Sequence, residues 1–412
     1  MSRWPETRLR YLADLNPPVR PDLLATPSVE LSFLPMEAIG EDGSLNLERT
    51  RPLSDVRNGY SYFANGDIAF AKVTPCFENG KGALMRDLVG GAGFGTTEVT
   101  VLRPKEGTNV RFLNYVLKGE QFRQYGAGAM TGAGGLKRVP DEFTRDFHTL
   151  WPEPNEQERI ATFLDDKTAR IDALIAEKER LIVLLTEQRL SVSERVIVCA
   201  PGDVKAKLGF HVDLLPGYAF PSDEFNRDPD NIPLLRGINV APAGIRWDEV
   251  VYWPREYDTS LERFRLKAGD VVLGMDRPWV SSGARVAMID GASEGSFLLQ
   301  RVCRLRGGSK WNQRFLFYAL SSDEFRQSVE VDLTGVSVPH ISPEQILGFK
   351  VPVLTPEEQI ERCEAADREL LRIDQLQSHT ILMLSRLREY RSSLISAAVT
   401  GQLDVASTKK VA

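Results

Sequence analysis

The sequence predicts duplicated α/β (α+β) globular domains joined by two long antiparallel coiled-coil helices, with pseudo-two-fold symmetry. Three observations carry this reading: an internal repeat, a sharp change of texture late in each copy, and matching apolar periodicity in two stretches almost free of Gly and Pro. The repeat is read at a separation of 203 positions. Asn109-Val110-Arg111-Phe112-Leu113-Asn114-Tyr115-Val116-Leu117 returns as Asn312-Gln313-Arg314-Phe315-Leu316-Phe317-Tyr318-Ala319-Leu320, six of nine pairs being identical. Composition alone gives roughly one match in fifteen. The register extends to Gly66-Asp67 with Gly269-Asp270, Pro75 with Pro278, Leu102-Arg103 with Leu305-Arg306, and Phe122-Arg123-Gln124 with Phe325-Arg326-Gln327. Solenoid units run roughly 20 to 50 residues, so this period marks a duplicated domain.

The elements follow in order. Residues 1–153 form the first globular domain: Gly and Pro are frequent, and short apolar runs such as Gly66-Asp67-Ile68-Ala69-Phe70-Ala71 read as strands between turns. A first helix is placed at 154–200, between Pro152 and Pro154 at its start and Pro201-Gly202 at its end. Leu164, Ile171, Leu174, Leu181 and Leu185 step along it by threes, fours and sevens, a coiled-coil seam. The second globular domain spans 201–355 and the second helix 356–402, with a tail at 403–412. In that helix Ile373, Leu387 and Leu394 lie on one row, Leu376 and Met383 on the adjoining one, and Gly401 is placed to cap the end. A helix of about 40 residues spans roughly 60 Å. Neither helix buries its seam alone, so the two are expected to pair. Each globular domain precedes its own helix, and equivalence of the halves about a two-fold axis favours an antiparallel pair with the heads at opposite ends of a dumbbell.

Composition narrows the class. With 42% apolar and 26% charged residues the chain is that of a soluble globular protein, and the longest aliphatic run near a helix, Leu181-Ile182-Val183-Leu184-Leu185, falls short of the roughly 20 residues a bilayer requires. Met1-Ser2-Arg3-Trp4-Pro5 lacks the apolar core of a secretory signal, and the four cysteines are scattered, so reduced thiols and a cytoplasmic location are expected. No Cys or His spacing suggests a metal site. The net charge of −6 argues against a simple polyanion binder, although acids on the long helices can mask local basic surfaces.

The Pro-x-Glu-Gln entries into both helices, the paired Arg170-Ile171-Asp172-x-Leu174 and Arg372-Ile373-Asp374-x-Leu376, and the tail Ser393-Leu394-Ile395-Ser396-Ala397-Ala398-Val399-Thr400-Gly401-Gln402-Leu403-Asp404 resemble the specificity subunit of type I restriction-modification systems. The resemblance implies a non-enzymatic subunit with two target-recognition domains, each reading half of an interrupted word in double-stranded DNA, and helices that act as spacer. It implies no cofactor in this chain. The partners it implies are two modification subunits that methylate adenine with S-adenosylmethionine and, in the full complex, two restriction subunits that use ATP, with Mg expected on those partners. The end of the first helix, Ser191-Val192-Ser193-Glu194-Arg195-Val196, departs most from the pattern. A 60 Å rod covers roughly 17 base pairs, so rod length should set the unread gap.

Residues that recur unchanged, such as Phe112, Leu113, Tyr115 and Leu117, read as core, whereas a head that reads its own word should vary its loops. One variable stretch surrounds Pro75 and Pro278; the other follows Thr131-Gly132 and Thr334-Gly335. Arg can fork onto guanine, Asn onto adenine, and Lys, Ser and Thr hold phosphates. The candidate DNA contacts are therefore Lys72, Thr74, Asn79, Lys81, Lys137 and Arg138 in one head, and Arg236, Arg277, Trp279, Ser281, Arg285 and His340 in the other. For each the plain alternative is an exposed side chain that solvates a loop, and for Trp279 it is a core filler.

Two other functions are weighed. Asn16-Pro17-Pro18-Val19 resembles the Asn-Pro-Pro-aromatic signature of amino-methyltransferases, which would make the chain a self-contained adenine methyltransferase. Its fourth residue is Val, and Gly91-Ala92-Gly93-Phe94-Gly95 fits neither nucleotide-binding glycine pattern, so a Pro-rich turn is preferred. A structural coiled-coil adaptor is the third reading.

Overall fold

The computed structural model describes residues 4–133, 135–199, 202, 204–242, 244–280, 283–330 and 340–405. The chain divides into two compact units: Met1–Arg180 with Ile381–Ala412, and Leu181–Thr380. Both boundaries fall inside long helices, Pro154–Ile197 and Pro356–Val399.

In the first unit the strand Ile68–Ala71 is buried along its whole length, and its alternation shows why. Ile68 and Phe70 face a core shared with Phe112, Phe122, Leu164 and Ile395; Ala69 faces the opposite way, into a core with Leu34, Phe63 and Val101. The period-two pleat thus supplies two layers from one strand. Its antiparallel sheet runs Ala13–Leu15, Val99–Pro104, Ile68–Ala71, Gly82–Leu84. A second sheet runs Thr50–Pro52, Glu30–Leu34, Ala92–Gly95, Ser61–Ala64, with one parallel pairing at its centre.

The second unit repeats this plan. Val212–Pro216, Val302–Gly307, Val271–Gly274 and Val286–Met288 form the antiparallel sheet, with Val271 and Leu273 facing the helix-side core and Val272 the other. Its second sheet again has a central parallel pairing, Ile232–Leu235 with Phe297–Leu298, and carries Tyr252–Trp253 on one side. The fourth strand of the first unit is represented here by a single bridge, Arg265 to Phe297.

The repeated polar residues hold this frame. Asn109 caps the helix Val110–Lys118 by accepting from the Phe112 amide at 3.0 Å, and Asn312 caps Gln313–Ser321 by accepting from the Arg314 amide at 2.8 Å. Gln157 and Gln359, each 1% exposed, turn back at the helix entries to donate to the Pro152 carbonyl at 2.7 Å and the Leu354 carbonyl at 3.1 Å. Such buried amides demand partners, which explains the repeated Pro-x-Glu-Gln. Tyr115 donates to Asp165 at 2.8 Å, and Tyr318 donates to Asp367; Arg111 and Arg314 reach the same carboxylates. These contacts tie each head to its own helix.

Within each unit the helical segments run antiparallel. In the first, Arg391 forks onto Asp172 at 2.7 and 3.0 Å, and Arg388 meets Glu179 at 2.7 Å. In the second, Arg189 meets Asp374 and Arg195 meets Glu369. The aspartates are those of the two Arg-Ile-Asp motifs. Arg391 is 16% exposed and its bond is bidentate, so Arg391→Ala is expected to destabilise the first unit by about 1–3 kcal/mol in urea titration. A loss below that range would make the pair a solvated contact.

The inner face differs from the predicted seam. Leu164, Ile171, Leu185, Ile373 and Leu394 are buried, and Leu181 and Leu387 half-buried, but Leu174, Leu376 and Met383 are 44%, 45% and 38% exposed. Thr380, seven residues from both Ile373 and Leu387, is buried on the expected row, and Leu384 and Ile395 are buried beside it. In each helix one row keeps its seven-residue step, Leu164, Ile171, Leu185 and Val192 in the first and Ile373, Thr380, Leu387 and Leu394 in the second, and the adjoining row turns to solvent. Among the described residues no helix is long and apolar enough to cross a membrane.

Candidate nucleic-acid interface

The variable stretches meet. In the first unit the loop after Ile68–Ala71 lies against the hairpin Thr131–Ala133/Leu136–Arg138: the Thr74 amide donates to the Lys137 carbonyl at 3.0 Å, the Thr74 hydroxyl to the same oxygen at 3.2 Å, and Val73 bridges Arg138. The Lys72 amide donates to the Glu98 carbonyl at 2.8 Å and the Val139 amide to that of Lys72 at 2.8 Å. Lys72, Thr74, Lys137 and Arg138 are therefore one group. Arg138 is held by Glu98 through Nε at 2.8 Å and Nη2 at 2.6 Å. The guanidinium holds the Glu98 carboxyl below its usual value.

Asn79 and Lys81 lie elsewhere. Lys81 donates to the Met36 carbonyl at 3.2 Å, and both residues line a cavity of about 570 Å³ with Lys118, Arg123, Asp172 and Arg391 on the helix side. The loop turns about Pro75, so its two arms serve different faces.

The second unit keeps the backbone of this junction. The Met275 amide donates to the Arg301 carbonyl at 2.9 Å, the Ile341 amide to that of Met275 at 3.0 Å, and Asp276 bridges His340. Asp276 accepts from Arg301 Nη1 at 2.5 Å and meets His340 Nδ1 at 2.6 Å. Burial pushes the Asp276 carboxyl up, but the hydrogen bonds from Arg301 and His340 outweigh it and hold the group below its usual range. Arg277 is exposed and left-handed, φ +45°.

Trp279 is half-buried, its ring 6.0 Å from Phe325 at the edge of the core. Arg285 is turned inward and donates to the carbonyls of Val240 at 3.1 Å and Asp276 at 3.3 Å; burial draws its pKa down. Arg236 is bonded to the Glu249 carbonyl, on a turn whose Gly237 faces Arg285. Ser281 lies outside the described residues, as do Thr334, Gly335 and Ser337. Sequence reading missed Glu98, Asp276 and Arg301. The repeat itself carried the signal, because positions 98 and 301 are equivalent and hold opposite charges.

Asn16 of the Asn-Pro-Pro stretch serves the sheet. Its amide donates to the Val101 carbonyl at 2.7 Å, its side-chain oxygen accepts from the Val101 amide at 3.0 Å, and φ is +48°. That oxygen is engaged in holding a strand end. No group of three or more His, Cys, Asp or Glu able to hold a metal occurs among the described residues.

Two copies of one frame, each presenting different side chains where two loops join, define a duplicated α/β protein with a variable junction in each copy. No family model matches the chain. The type I restriction enzyme EcoAI specificity subunit of Escherichia coli is 28% identical, across 90% of this chain and 77% of that one. A solved chain of a type I restriction-modification assembly superposes with a TM-score of 0.76 at 18% identity, covering 97% of this chain and 98% of its own. The HsdS subunit from Thermoanaerobacter tengcongensis gives 0.57 at 17% identity, covering 97% of each chain. The curated relatives this chain resembles are specificity subunits of type I restriction enzymes, and its fold is that of the solved subunits of such systems.

Proposed function

We propose that this chain reads a bipartite target in double-stranded DNA and directs the methyltransferase and restriction subunits of a type I restriction-modification complex to it. The observation that supports this reading most is the junction of two loops built on the same hydrogen bonds in both units yet bearing Val73, Glu98 and Arg138 in one and Asp276, Arg301 and His340 in the other. A repeated frame with exchanged side chains suits two words read by one mechanism. Similarity to the EcoAI specificity subunit supports it from a separate direction.

In this proposal the chain itself transfers no methyl group. Two modification subunits bind S-adenosylmethionine and methylate adenine, and two restriction subunits use ATP and Mg. Residues 1–153 and 201–355 are the two reading modules, and the helices separate the half-words. The full chain incubated with labelled S-adenosylmethionine and DNA is expected to transfer nothing alone and to support transfer once its modification subunits are added; transfer by the isolated chain would overturn the reading. Exchange of residues 1–153 for those of a relative is expected to alter one half of the methylated word and leave the other, as read by methylome sequencing. A change in both halves would refute the assignment of one word to each head.

A further inference from the structure

The loop junction carries an inference that rests on the functional reading above and goes beyond it. In each unit a carboxylate at the junction holds an exposed cation in place. Arg138, 45% exposed, is clamped through Nε and one Nη2 hydrogen by Glu98, which leaves its Nη1/Nη2 edge without a partner among the described residues. Arg301, 67% exposed, is held at Nη1 by Asp276, which leaves Nε and Nη2 without a partner among the described residues, while His340 occupies the second Asp276 oxygen. Four non-glycine residues have left-handed φ among the described residues, and two of them, Arg277 at +45° and Arg301 at +67°, are at this junction. Such a backbone is strained and persists where its surroundings fix it.

A phosphate contact gains nothing from this arrangement, because a carboxylate within hydrogen-bond distance cancels much of the charge a phosphate seeks. A base edge differs. Reading guanine O6 and N7 requires a rigid, planar donor pair, and a buttressing carboxylate fixes the guanidinium plane before DNA arrives. We propose that Arg138 and Arg301 are the guanine-reading residues of the two heads, with Glu98 and Asp276 as their positioning residues. Arg301 stands where the first unit has Glu98, and its acid, Asp276, stands where the first unit has Val73, so the two arginines enter the junction from different segments, Arg138 from the end of Leu136–Arg138 and Arg301 from the residue before Val302–Gly307. Each head thus offers its fork at a different angle, which allows one frame to read two words.

The test uses the full chain assembled with its modification subunits and a randomised DNA library, selected by binding and sequenced. For Arg138→Ala and Arg138→Lys alike, one G·C position of one half-word is expected to become degenerate, with discrimination there falling roughly 5- to 150-fold. The other half-word is unchanged. Arg301→Ala and Arg301→Lys do the same in the opposite half. Glu98→Gln loosens the same position as Arg138→Ala, which a purely structural role does not reproduce. If the lysine variants keep the wild-type word, or if the alanine variants weaken all sequences equally with a salt dependence lower by about one ion, the arginines hold phosphates and the proposal fails. A wild-type complex that selects no two-part word would instead overturn the functional reading, and this station with it.

Discussion

Asp67→Ala is expected to remove about 3–5 kcal/mol from the first unit, and Asp270→Ala the same from the second. Asp67 is 2% exposed and accepts from Arg103 at Nε, 2.8 Å, and Nη2, 2.7 Å, while its Oδ2 also takes the Ala64 amide at 2.7 Å. Asp270 is 4% exposed; it pairs with Arg306 and takes the Lys267 amide at 2.8 Å. In both units the residue before the aspartate is a left-handed glycine, Gly66 at +91° and Gly269 at +89°, so the carboxylate closes a tight turn and clamps an arginine on the neighbouring strand at once. Removing the acid strands a half-buried guanidinium and frees a turn amide, a loss comparable to the about 5–15 kcal/mol that holds a whole domain. Urea unfolding followed by tryptophan fluorescence reads the loss. Asp67→Ala with Arg103→Met should recover most of it, because an apolar pair leaves no charge uncompensated. A loss under about 1 kcal/mol in the single variant would show that water reaches the pair.

That pair also shows what the sequence made legible. Gly66-Asp67 and Leu102-Arg103 stood out as repeats 36 residues apart, but repetition alone does not say that two repeated residues touch. The duplication, the long helices and the core role of Phe112, Leu113, Tyr115 and Leu117 were readable because periodicity and identity report burial directly. The seam was readable only in part. One heptad row of each helix is buried as its spacing implies, but the spacing does not say whether the adjoining row is covered too, and Leu174, Leu376 and Met383 on it are exposed. Reading by loop put Lys72, Thr74, Lys137, Arg138, Asn79 and Lys81 in one head, and the structure gathers the first four at one junction and sets Asn79 and Lys81 on another face. Residues a few positions apart on a turn point to opposite faces, and nothing in their spacing says so. Glu98 and Arg301 were missed because each lies at a strand entry rather than in a variable loop, and their meaning depends on a partner distant in sequence.

The two units are expected to answer alkali with opposite signs between about pH 9 and 10. In the second, burial pushes the Cys303 and Cys363 thiols up to about 12 from a usual 9.0. Below pH 9 both states hold these protons and the stabilising contribution is complete. Above it the unfolded chain loses them first, so stability falls by up to about 1.4 kcal/mol per pH unit for each thiol until the folded values are reached. In the first unit the Lys118 ammonium, donating to the Asp42 carbonyl at 2.9 Å, is drawn down to about 8 from 10.5 by burial and by Arg391. Here the unfolded chain binds the extra proton between those values, so stability rises with pH across that interval. Tyr115 and Tyr318, whose phenols burial also pushes up, add a further loss to both units above about pH 10. Pulse proteolysis with mass spectrometry, which assigns cleavage to one unit or the other, should therefore find residues 181–380 yielding first at pH 10 and the ordering less marked at pH 7.5. Cys303→Ala with Cys363→Ala should flatten the alkaline loss of the second unit, and Lys118→Met the gain of the first. Equal slopes in wild type and variants would mean that these groups are hydrated in the folded chain. The cysteines then report a core open to water, and the dry contact of Cys303 with the Leu273 strand would be the first part of this fold to abandon.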